Sequence, residues 1–200
     1  MGTNRLEAFS DGVLAIIITI SVLELRPPHG TDLGALWSQR SIFFSYVLSF
    51  WYLGIYWNNH HHMLQVTQRV TGAILWANLG LLFCLSLFPF ATGWMGGTDF
   101  APLPTAFYGV VLLLAGAAYY LLQRLIIASQ GVHSLLAAAV GRDLKGKISP
   151  VIYAVSIPVA FLSPFAANAL FVLVALIWLI PDRRIERALA GREGAGGGPD

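Results

Sequence analysis

Ala8-Phe9-Ser10-Asp11-Gly12-Val13-Leu14-Ala15-Ile16-Ile17-Ile18-Thr19-Ile20-Ser21-Val22-Leu23-Glu24-Leu25 is an apolar run with one carboxylate, Asp11, inside it and another, Glu24, near its far end. A helix needs ~20 residues to cross a ~30 Å hydrocarbon layer, so the run predicts a membrane span. Further apolar runs, bounded by polar or Pro/Gly punctuation, fall at 42–58, 71–92, 105–127, 148–163 and 165–180. Only Pro164 separates the last two, so either a turn lies there or one long kinked helix does. Six spans are favoured over five because Ser163-Pro164-Phe165-Ala166-Ala167-Asn168 reads as a tight re-entry turn. The charge distribution agrees. With the N-terminus inside, ten cations (Arg5, Arg69, Arg124, Arg142, Lys145, Lys147, Arg183, Arg184, Arg187 and Arg192) fall on the cytoplasmic side and two, Arg26 and Arg40, outside.

The whole composition points the same way. Of 200 residues, 56% are hydrophobic and 11% charged, against about a quarter charged in a soluble domain. The expected fold is an all-α polytopic membrane protein, with a transmembrane domain over 1–182 and a partly disordered cytoplasmic tail over 183–200. Residues 131–147 read as a cytoplasmic linker lying along the membrane surface. The opening lacks a small-x-small cleavage site and has Glu7 and Asp11 beside Arg5, so it is not read as a secretory signal. Cys84, the sole cysteine, lies in an apolar run and reads as a small buried residue. A net charge of +2 is too small and scattered for nucleic acid. Motifs of hydrolases, redox dithiols, zinc peptidases and phosphate-binding loops are absent, as is the Thr-Val-Gly-Tyr-Gly carbonyl filter, so neither an enzyme nor a cofactor is expected.

A carboxylate inside an apolar helix costs ~2.5–3.5 kcal/mol on insertion scales and usually faces protein or water. Asp11, with Ser10 beside it and Arg5 upstream, reads either as part of a polar cluster at a cytoplasmic entrance or as a capping and interface group. The β-branched residues that follow hold a stiff wall shape. Ile16, Ile20 and Leu23 share one face at i, i+4 and i+7, with Thr19 beside them and Gly12 a turn below. Repeated around an axis, that face makes hydrophobic rings with a hydroxyl ring between them; in a single helix the same stripe is plain packing. At the end of the second run, His60-His61-His62 resembles a metal motif only superficially, since consecutive helical residues diverge and no carboxylate or cysteine is near in sequence. His60, a turn after Trp57, is the one best placed to hydrogen-bond the first helix. Asn78, Pro89-Phe90, Pro158, Pro164 and Asn168 read as packing or kinking features.

The signature Arg5-x-x-x-Phe9-Ser10-Asp11 opening a first span, with Trp57-x-x-His60, Asn78 and Pro89-Phe90, resembles the transmembrane protein 175 family of endosomal and lysosomal potassium channels and their bacterial relatives. A single six-helix repeat resembles the bacterial members. The resemblance implies a homotetramer in the bacterial inner membrane, bedded in lipid, with K+ as permeant ion and helix 1 lining a central pore. It implies a constriction at Ile16, apolar rings at Ile20 and Leu23, and a supporting network of Arg5, Phe9, Ser10, Asp11, Trp57 and His60. Polar positions around the constriction vary in such proteins, and Ala15 and Thr19, which stand there in this chain, bear on the degree of potassium selectivity. The alternative is a proton-coupled secondary transporter using Asp11 and His60.

Overall fold

In a computed structural model, which describes residues 2–131, 136–137 and 144–179, the described residues form helices and connecting turns, with no strand among them. The helices are α1 (Thr3–Ser21), which tightens into a 3-10 turn at Val22–Glu24, α2 (Leu33–Ser38), α3 (Arg40–Gln65), α4 (Gly72–Ser86), α5 (Phe88–Gly97), α6 (Pro102–Gln130), α7 (Leu144–Leu162) and α8 (Pro164–Leu179). The expected tail at 183–200 lies outside the described residues, as does much of the expected linker at 131–147.

Local chemistry sets the boundaries. Asp32 caps α2 by accepting from Ala35 N at 2.7 Å, and Thr71 caps α4 by accepting from Ile74 N at 3.4 Å. Prolines open α5 and α6, where a missing N–H costs nothing. The α4–α5 break at Leu87 follows from Pro89, so the two helices together make one kinked apolar span, Gly72–Gly97. Thr3–Glu24, Pro102–Gln130 and Lys145–Leu162 are also long and apolar enough to cross a membrane. Among the described residues, α8 is shorter at 16 residues, and α3 runs 26 but ends in a polar segment.

The break at Pro164 is a turn. Trp178 near the end of α8 donates to Ser149 near the start of α7 at 2.8 Å, so the two helices run back along each other. At the centre, Tyr52 of α3, Phe88 of α5, Tyr108 of α6 and Phe171 of α8 are fully buried, and successive ring centroids lie 6.3, 6.0 and 5.5 Å apart. Their polar atoms are satisfied. Tyr52 donates to the Phe171 carbonyl at 2.6 Å, and Ser49 joins Thr92 at 2.5 Å and the Tyr108 hydroxyl at 2.9 Å. Ser41, Ser45 and Ser49 form a buried stripe on α3 that lets α5 approach closely. At Gly96 the approach is tightest, since a Cβ there would stand 2.7 Å from the Ile42 Cα.

α1 packs against α3, α4 and α5. Leu6, Ser10, Leu14, Ile17 and Ser21 are its buried face. Val13 also packs against the core, partly buried.

Candidate functional site

The other face of α1 is left uncovered by its own chain. Phe9, Ile16, Ile20 and Leu23 are 51%, 58%, 45% and 72% exposed, and Ala8, Gly12, Ala15 and Thr19 lie on the same side. Leu23 belongs to the 3-10 turn rather than to α1 proper. The Thr19 hydroxyl donates back into its own helix, with the Ala15 and Ile16 carbonyls both at 2.9 Å. Its oxygen lone pairs remain free to face whatever stands opposite. Beyond Leu23, the Glu24 side chain occupies the space that a Cβ on Gly93 of α5 would fill, seating the end of the helix.

At the N-terminal end of α1 the polar residues divide into two clusters. In the buried one, Ser10 donates to the Leu6 carbonyl at 2.8 Å, Asn78 Nδ2 donates to Ser10 Oγ at 2.9 Å, and Asn78 Oδ1 faces His60 Nε2 at 2.7 Å. A carbonyl can only accept, so the direction of the whole series is fixed and His60 Nε2 carries a proton. His60 is 1% exposed and Asn78 fully buried. Asn78, read from sequence as a packing residue, is thus the link between α3 and α1.

The second cluster is partly open. Trp57 Nε1 donates to Asp11 Oδ1 at 3.0 Å, and the Trp57 ring stacks on His61 at 6.0 Å with a 20° interplanar angle. His61 Nδ1 lies 2.9 Å from Glu7 Oε1. Sequence reasoning chose His60 and passed over His61 and Glu7. The signal was there: Glu7 and Asp11 share a helix face at i, i+4, and His61 follows Trp57 at the same spacing. Arg5 is exposed and makes no ion pair among the described residues; of the expected network of Arg5, Phe9, Ser10, Asp11, Trp57 and His60, the chain joins Trp57 to Asp11 directly and His60 to Ser10 through Asn78.

Helices this apolar and this long, packed around a satisfied aromatic centre, define an all-α integral membrane protein. The family model for the endosomal/lysosomal potassium channel TMEM175 matches residues 5–89, and a potassium channel of Chryseobacterium sp. (strain P1-3) is 51% identical over 189 residues, covering 94% of this chain and 98% of that one. The chain belongs to the TMEM175 family. A potassium channel of Streptomyces collinus is 38% identical over 94 residues, 45% of this chain and 46% of the relative. The human endosomal/lysosomal proton channel TMEM175 is 31% identical over 99 residues, 44% of this chain and 19% of the human one. In fold, the chain is similar to the crystal structure of a lysosomal potassium-selective channel TMEM175 homolog from Chamaesiphon minutus, with a TM-score of 0.78 at 24% identity over 90% of this chain and 97% of that one.

Proposed function

We propose that this chain is one subunit of a potassium-permeable cation channel, a homotetramer in which α1 is innermost and passive K+ flux passes a hydrophobic constriction. The observation that carries the reading is the exposed face of α1. A β-branched, apolar stripe centred on Ile16 is left bare while the opposite face is buried, which in a membrane fits either lipid or copies of itself around an axis. Near full-length similarity to a bacterial potassium channel supports the second. Ile16 makes the narrowest ring, Ile20 and Leu23 the rings beyond it, and Thr19 supplies oxygen lone pairs between them. Residues 1–182 form the channel domain, crossing a bacterial inner membrane six times through α1, α3, α4–α5, α6, α7 and α8, with both termini in the cytoplasm. Arg5 and Phe9, exposed on the single chain, meet neighbouring copies, while Ser10, Asp11, Trp57 and His60 hold α1 in place.

The transporter alternative asks Asp11 and His60 to exchange a proton with a shared cavity. His60 is buried against Asn78, and Asp11 accepts from Trp57 in the other cluster, so the two do not form one exchange site. A planar-bilayer recording of the purified protein, with potassium and sodium on opposite sides, tests the proposal. Discrete single-channel steps and a reversal potential displaced toward the potassium equilibrium value are expected. Saturable flux without steps, or no flux, overturns it.

A further inference from the structure

The cluster around His61 adds two donors, Glu7 and His61, that the proposed pore does not use, beside Asp11, which helps to hold α1. Glu7 and Asp11 stand one turn apart on α1, and α3 brings His61 against them, so that one ligand atom from each lies within 4.8 Å of the other two. His61 Nδ1 is close to Glu7 Oε1, but off the line along which a ring N–H points, and this nitrogen is sealed from solvent without a hydrogen bond. Two carboxylates side by side repel each other, and no lysine or arginine pairs with either among the described residues. Both the nitrogen and the excess negative charge call for a cation.

We propose that Glu7, Asp11 and His61 form a binding site for a divalent transition-metal ion of the Zn2+ class, bridging α1 and α3. An imidazole nitrogen with two carboxylate oxygens is a borderline donor set that suits Zn2+ better than Mg2+ or Ca2+, which prefer oxygen alone. At bond lengths of ~2.1 Å, tetrahedral donors stand ~3.4 Å apart, so His61 Nδ1 and Glu7 Oε1, now 2.9 Å apart, open slightly while donors up to 4.8 Å apart draw in, within reach of the flexible Glu7 side chain. Water completes the shell. The surroundings already hold the ligands in place. Trp57 stacks on the His61 ring and donates to one Asp11 oxygen, leaving the carboxylate capacity for the ion. Gln65 lies 2.8 Å from His61 Nε2, and with its amide turned to present oxygen it accepts the Nε2 proton that metal ligation through Nδ1 requires.

The ion binds whether or not the chain conducts, so the test reads binding. Full-length protein in mild detergent, with any affinity tag removed and stripped with EDTA, is titrated with ZnCl2 at pH 7.5 by calorimetry, and its melting temperature is followed in parallel. One Zn2+ per chain is expected, with a rise in melting temperature. His61→Ala and Glu7→Gln are each expected to weaken binding at least tenfold and abolish the rise, while eluting as the wild type does on size exclusion. His62→Ala should bind like wild type. MgCl2 should not compete. Wild-type affinity in His61→Ala or Glu7→Gln, equal loss in His62→Ala, or no saturable binding overturns the site. Should His61→Ala elute abnormally, His61→Gln takes its place and must show the same tenfold loss.

Discussion

Replacing Ile16 with asparagine puts an amide where the proposed ring offers only methyl groups. A hydrophobic ring gives a passing ion no oxygen in exchange for lost water, so it favours potassium, which holds its water less tightly than sodium. Ile16→Asn is therefore expected to raise the current and bring potassium and sodium permeabilities together. Phe83→Ala, on the 65% exposed outer side of α4, should do neither. A wild-type reversal potential in an intact Ile16→Asn assembly would move the constriction to Ile20 or Leu23. Asn78 carries a second residue-scale expectation. Asn78→Leu leaves the His60 Nε2 proton buried without a partner, at about 1–3 kcal/mol, and removes the hydrogen bond that Ser10 Oγ accepts while its own bond to the Leu6 carbonyl stays. A fall in melting temperature should follow; an unchanged melt would mean that the series adds nothing to stability. The sequence showed that Asn78 was polar within an apolar run but not that it joined two other helices, because hydrogen-bond partners 18 and 68 positions away leave no trace in local spacing.

Helix α5 lies against α3 because small residues line both. A Cβ on Gly96 would stand 2.7 Å from the Ile42 Cα and 2.9 Å from Ser45 Oγ, and the first is backbone that cannot turn aside. Gly96→Ala should thus force the helices apart at a cost of about 1–3 kcal/mol. Gly97→Ala, next to it but with nothing within 4 Å, should be neutral or slightly stabilising. Melting curves of the two variants in the same detergent check the contrast, and equal melts would place the close contact elsewhere. The kink at Pro89 was legible from a missing N–H alone. The serine stripe of α3 was not, since it gains meaning only from the glycine and threonine that α5 sets opposite it.

On the scale of the whole molecule, the bare face of α1 and an Arg5 without an ion pair among the described residues suit the proposed assembly of copies. Mass analysis in mild detergent is expected to give four chains of 21.7 kDa. A monomer or a dimer would leave the Ile16, Ile20 and Leu23 stripe facing lipid and sink the proposed pore. Among the described residues Arg5 makes no ion pair, so Arg5→Ala should leave the melting of the protomer near the wild-type value and shift the mass distribution toward smaller species. A lowered protomer melt with an intact tetramer would instead assign Arg5 to the fold of a single chain.

The sequence by itself determined that this chain is a bundle of apolar helices belonging in a membrane and which stripe of the first helix stands apart, because transfer free energy and helical periodicity are sums over neighbouring residues. It also left Pro164 open between a kink and a turn. Only the tertiary structure decided that, by pairing Trp178 with Ser149, and only it divided the polar end of α1 into a buried series through Asn78 and an open cluster through His61. The physical reason is the same in each case. Which of three adjacent histidines faces a carboxylate depends on how α3 rotates against α1, and that rotation is set by packing between residues far apart in the chain.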